Sequence, residues 1–82
     1  MDIKIYRVVA QYPVDEVDGD MCSYQTWETF FNDMFPTRVS AIRKAQKIHS
    51  KCNCYVEVTR LSVTEQGLKD RKLIYKLYYG NN

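Results

Sequence analysis

Pro36-Thr37 divides this chain, and the stretch that follows has one comfortable conformation. From Arg38 to Ser50, residues Val39, Ala41, Ile42, Ala45 and Ile48 fall along one side of a helix. Arg43, Lys44, Lys47 and Lys51 line the other side, with Ser40 among them. A proline disfavours helix in the residue before it, so Pro36 stops whatever precedes it, and Thr37 can cap the amides of the new helix. The cations gather toward the C-terminal end, where the helix dipole favours them. Such a helix is apolar on one side only, so the rest of the chain has to provide a surface that covers it.

The flanking segments suggest that surface. Ile3 to Tyr12 reads as a strand, with Ile3, Ile5 and Val9 on one face and Tyr6, Val8, Ala10 and Tyr12 on the other. Arg7 interrupts the first face, which places it either in a central strand or at a rim. Pro13 is expected to end the strand, because proline cannot donate to a ladder. The acidic run Val14 to Asp20 then reads as a solvated connection. As a calcium loop it fails, since counting from Asp15 puts Thr26 where a closing glutamate belongs. Ser23 to Phe35 shows Trp27, Phe30, Phe31 and Met34 at i, i+3, i+4 and i+7, which predicts a second helix capped by Ser23. Tyr, Thr, Trp and Phe also favour strands, so a strand from Tyr24 to Thr29 is the alternative. Cys54, Val56 and Val58 alternate with Tyr55, Glu57 and Thr59. After Gln66-Gly67, Leu73, Tyr75, Leu77 and Tyr79 alternate with Lys72, Ile74, Lys76 and Tyr78, which completes an antiparallel hairpin. The expected fold is α+β over a single domain, residues 1–82: a three-stranded antiparallel sheet, β-α-α-β-β in sequence order, with two helices on one face.

Charge is unevenly spread along the 82 residues. Residues 1–35 hold seven acids against two bases, net −5, and residues 36–82 hold ten bases against three acids, net +7. Such a split either steers charged partners or is neutralised when the halves fold together. No apolar run approaches the length of a membrane span, and three cysteines cannot all pair, which disfavours a secreted disulfide scaffold. The expected location is the cytoplasm, without a membrane partner.

Chemistry has few places to reside. The strongest constellation is Cys22, His49, Cys52 and Cys54, which could supply four zinc ligands. Cys-x-Cys on a strand points both thiols one way, however, and free cysteines commonly pack as small hydrophobes. The same atoms could form a Cys–His nucleophile, but the three glycines sit in turns or at the terminus and offer no oxyanion loop or phosphate cradle. The expectation is a non-enzymatic protein without cofactor. Arg43, Lys44, Lys47 and Lys51 could follow phosphates, and Tyr6 and Tyr78 with Lys72 and Lys76 could form an aromatic, basic sheet face that stacks bases. Seven tyrosines and one tryptophan also suit protein binding, with Ile74 and Tyr78 expected on the outer face of the last strand.

A leading strand, the amphipathic helix Ser40-Ala41-Ile42-Arg43-Lys44-Ala45-Gln46-Lys47-Ile48 and a closing hairpin give an order of elements that resembles small proteins encoded by phages and mobile elements, some anti-CRISPR proteins among them. The resemblance implies an inhibitor that blocks a host defence or nucleic-acid-processing complex by protein contact, inside the host cell, as a monomer or small homo-oligomer. On that reading Asp15, Glu16, Asp18 and Asp20 act as a phosphate mimic and Tyr78 as an anchor. The partner on that reading is a host or phage protein complex; the alternative is a small accessory protein that binds nucleic acid through the basic helix.

Overall fold

The computed structural model describes residues 2–17 and 23–80. Strand β1 runs Ile3–Val17, β2 Ser23–Phe35, helix α1 Arg38–Lys51, β3 Tyr55–Thr64 and β4 Gly67–Leu77. The strands form one antiparallel sheet in the order β2-β1-β3-β4. The helix packs on one face through Ala41, Ala45 and Ile48, against Val8, Ala10, Cys54, Val56 and Val58. Two alanines on the buried stripe let the helix backbone come close to the sheet.

The expectation of three strands and two helices is therefore overturned: residues 23–35 form a strand, not a helix. The sequence from Thr26 to Phe31 is rich in residues with branched or aromatic side chains, which fit a pleated surface. A bulge explains why the helical template also fitted. Ala10 pairs with Phe31 and Gln11 with Thr29, so Phe30 is the extra residue, and Phe30 and Phe31 turn to the same side of the sheet. With Trp27 and Met34 on the opposite side, the strand is apolar on both faces, and its spacing imitates a helix. Pro13 does not end β1 either. Beyond Gln11 the strand has a partner only in β2, and proline is tolerated where one edge of a strand is free. The stretch Val14 to Val17 is thus strand rather than loop.

The helix follows its expected boundaries. Thr37 accepts a hydrogen bond at Oγ1 from the Ser40 amide, 3.2 Å away, and the Cys52 amide donates to the Ile48 carbonyl at the other end. Glu65 and Gln66 form the turn between β3 and β4, and Gly67 has φ of +113°, a conformation that glycine adopts freely. A bulge at Ile74 separates Val58–Tyr75 from Thr59–Leu73 and turns Ile74 inward beside Tyr75. Ile74 therefore supports the core from the helix side and is not on the outer face.

The halves of opposite charge interleave, since β1 pairs with β3. A weaker polarity survives across the sheet, with Glu28 and Asp33 on one edge strand and, on the other, Lys69, Arg71, Lys72 and Lys76 against Asp70, Lys69 being paired with Asp2. The molecule measures 53 × 30 × 15 Å. Fifteen extended residues reach about 50 Å, whereas a 14-residue helix reaches about 21 Å. The helix thus spans less than half the length of one face, and among the described residues no element covers the other.

Candidate functional site

The uncovered face carries Ile3, Ile5, Arg7, Val9 and Gln11 from β1, since their neighbours Val8 and Ala10 face the helix. Pairing adds Tyr55, Glu57, Thr59 and Leu61 from β3, and Leu73 and Lys76 from β4. Gln11 opposite Tyr55 is the last pair between β1 and β3, and beyond it the β1–β2 hairpin projects as an arm. A cleft of about 470 Å³ opens where the arm leaves the body, lined by Gln11, Trp27, Tyr55, Tyr78 and Tyr79.

Four rings shape this cleft. Trp27 meets Tyr55 at 6.1 Å and Tyr79 at 6.0 Å between centroids, both edge to face, and Tyr55 meets Tyr78 at 6.2 Å. These spacings are those of attractive aromatic pairs, so the rings brace one another while remaining open to solvent. Trp27 is 48% exposed and Tyr78 52%. Lys76 places its Nζ 5.0 Å from the centre of the Tyr78 ring, and contact with the Tyr78 side chain holds the ammonium pKa above its ordinary value. Burial raises the Tyr55 hydroxyl, helped by Glu57, to which it donates a hydrogen bond of 3.3 Å. The cleft is flat-sided and apolar, with hydroxyls and one charge of each sign, Lys76 and Glu57, at its margin.

Two hydrogen bonds fix the C-terminal segment that supplies Tyr78 and Tyr79. His49 Nε2 lies 2.9 Å from the Tyr78 carbonyl, which can only accept, so the ring carries its proton on Nε2. The Gly80 amide donates to Asn53 Oδ1 at 2.8 Å. His49 thus secures the cleft from behind. Cys54 is fully buried, and desolvation raises its thiol pKa, while Cys52 is exposed. Cys22 lies outside the described residues. Among the described residues, no group of three His, Cys, Asp or Glu side chains comes together as a zinc site would need. A second hollow of about 320 Å³, lined by Tyr12, Phe30, Cys52, Asn53 and Cys54, lies on the helix side.

The other candidates are dispersed. Asp15 and Glu16 are exposed on the arm, and Asp18 and Asp20 lie outside the described residues. Arg43, Lys47 and Lys51 are exposed on the outer side of α1, on the opposite face from the cleft. Lys44 lies half-buried, 5.4 Å above the Phe31 ring, which draws it toward the sheet. Tyr6 packs against the core instead of joining Tyr78, and its pairing with Arg60 puts Arg60 and Lys72 on the helix side. Of the described residues expected to bind a partner, only Tyr78 belongs to the cleft. Trp27, Tyr55 and Tyr79 were not anticipated, since Trp27 reads as core when residues 23–35 are taken as a helix. The strand alternative carried the missing signal, as alternation separates Trp27 from Glu28.

No protein-family model, no curated protein and no solved structure matches the chain. Among the described residues, no helix is long and apolar enough to cross a membrane.

Proposed function

We propose that this chain is a non-catalytic binding protein that docks on another protein through the aromatic cleft, and that it works as an inhibitor or adaptor. The braced quartet of exposed Trp27, Tyr78 and Tyr79 with half-buried Tyr55 carries the reading. Rigid aromatic side chains contribute contact area with little loss of rotamer freedom, and such residues dominate interface energetics. The partner is a protein complex presenting an apolar or proline-like projection that fits a cleft of about 470 Å³. The resemblance to phage-encoded inhibitors supports the kind of partner, a host defence or nucleic-acid-processing assembly.

The test is retention of partners on immobilised protein, with and without nuclease, for the wild type and for Tyr78→Ala and Trp27→Ala. Each variant removes a cleft ring from an exposed position, so folding should persist while affinity falls about 10- to 30-fold. Equal retention by the variants would overturn the proposal. Recovery of nucleic acid that nuclease or high salt removes would transfer the function to Arg43, Lys44, Lys47 and Lys51.

A further inference from the structure

Arg7 is a charge without a counterpart. It stands in the interior strand β1 on the uncovered face, between Met34 and Thr59. The side chain is half-buried, and its Nε is buried without a hydrogen-bond partner. Among the described residues, no carboxylate pairs with it. A guanidinium drawn partly out of water and left unpaired is unfavourable, and a planar carboxylate that meets its terminal nitrogens relieves the cost. The charges around it share the bias. Between the cleft and the β3–β4 turn, the paired positions of this face carry Arg7, Arg71 and Lys76 against Glu57, and Glu57 already accepts the Tyr55 hydroxyl.

The aromatic cleft lies within reach of Arg7. Gln11, which lines the cleft, is four residues along β1 from Arg7, about 13 Å away. A segment in the polyproline II form advances about 3.1 Å per residue and spans that gap in about four residues. Trp27 meets Tyr55 and Tyr79 edge to face, so the rings leave slots and not a flat platform, and Lys76 lies over the ring of Tyr78. Slots suit the compact ring of proline better than a nucleobase, which stacks on a bare face. Proline also presents a carbonyl and no N–H. The indole N–H of Trp27, which can only donate, has no acceptor among the described residues.

We propose that the segment received by this face is an extended, acidic, proline-containing peptide of the partner. Its prolines fill the aromatic cleft, and a carboxylate about four residues away pairs with Arg7. This occupant rests on the docking role proposed for the cleft and gives that role a chemistry and a direction, from the cleft toward the β3–β4 turn. Charge complementarity with Arg7, Arg71 and Lys76 selects the acidic flank.

The experiment is fluorescence anisotropy with a labelled peptide of three central prolines, three serines on each side and two glutamates at each end. The wild type should bind it saturably, with a Kd below about 1 mM. Glutamine in place of the glutamates should weaken binding about 5- to 10-fold. Arg7→Gln should weaken binding of the glutamate peptide by the same factor and no longer distinguish the two peptides. Trp27→Ala should weaken both by about 10- to 30-fold. If Arg7→Gln does not keep the wild-type circular dichroism spectrum, the comparison of the two peptides on the wild type decides. Equal affinity for the two peptides would overturn the proposal, as would equal affinity when serines replace the prolines. So would a preference for labelled oligothymidylate, which would point to stacked bases. If the wild type ignores the peptide while Trp27→Ala still loses its retained partners, this occupant is wrong and the docking role of the cleft stands.

Discussion

Replacing Val58 by alanine is the most direct measure of whether the helix and sheet pack as described. Val58 is fully buried in β3, paired with Val8 on one side and Tyr75 on the other. The change removes two methyl groups, worth about 1.6 kcal/mol in lost transfer free energy. The space they leave, roughly 40 Å³ if nothing collapses, costs about another 1 kcal/mol. The sum is about 2.5 kcal/mol. A chain of this length has roughly 4–12 kcal/mol of stability in total, so the loss is large. The assay is urea unfolding followed by circular dichroism at one fixed protein concentration, because any self-association adds to apparent stability. The midpoint on heating should fall by roughly 10–20 °C. Gln25→Ala, on the exposed arm, should stay within about 0.5 kcal/mol of the wild type. A loss below about 1 kcal/mol for Val58→Ala would refute the reasoning, since it would mean that α1 does not cover the centre of the sheet.

Two further outcomes follow from the helix cap and the thiols. Thr37→Ala removes the acceptor for the Ser40 amide and should cost about 1 kcal/mol in the same unfolding assay, with Thr37→Ser recovering most of it. In a Cys22→Ser background, a thiol reagent should label Cys52 in the native protein and Cys54 only after unfolding. The raised pKa of the Cys54 thiol makes its contribution to stability fully present below the unfolded-state value, near 9.0, and progressively lost as pH rises above it. Unfolding midpoints measured from pH 8 upward should show that loss, and Cys54→Ala should lessen it, leaving the share that the raised Tyr12 and Tyr55 hydroxyls contribute at higher pH.

The segment Arg38 to Lys51 was legible because every signal for it is local: a stop at Pro36, a cap at Thr37, and an apolar stripe that needs only the 3.6-residue repeat. The β3–β4 hairpin was legible for the same reason, through alternation and a turn glycine. Residues 23–35 were not, because one extra residue at Phe30 shifts the alternation by a step, and nothing in the segment itself announces it. Only pairing with β1 reveals the bulge, since a register exists between two strands and not within one. The same holds for Ile74, which the bulge in β4 turns inward. The cleft depends on the fold still more heavily. Trp27, Tyr55, Tyr78 and Tyr79 come from three separate stretches, and sheet order β2-β1-β3-β4 brings the first two to one end of one face. His49 and Asn53 hold the C-terminal stretch beside them. The sequence by itself determined the helix, the hairpin and an abundance of aromatic residues. Which of those residues meet, and which side of the sheet stays open, was decided by the tertiary structure, because strand order and register are long-range choices.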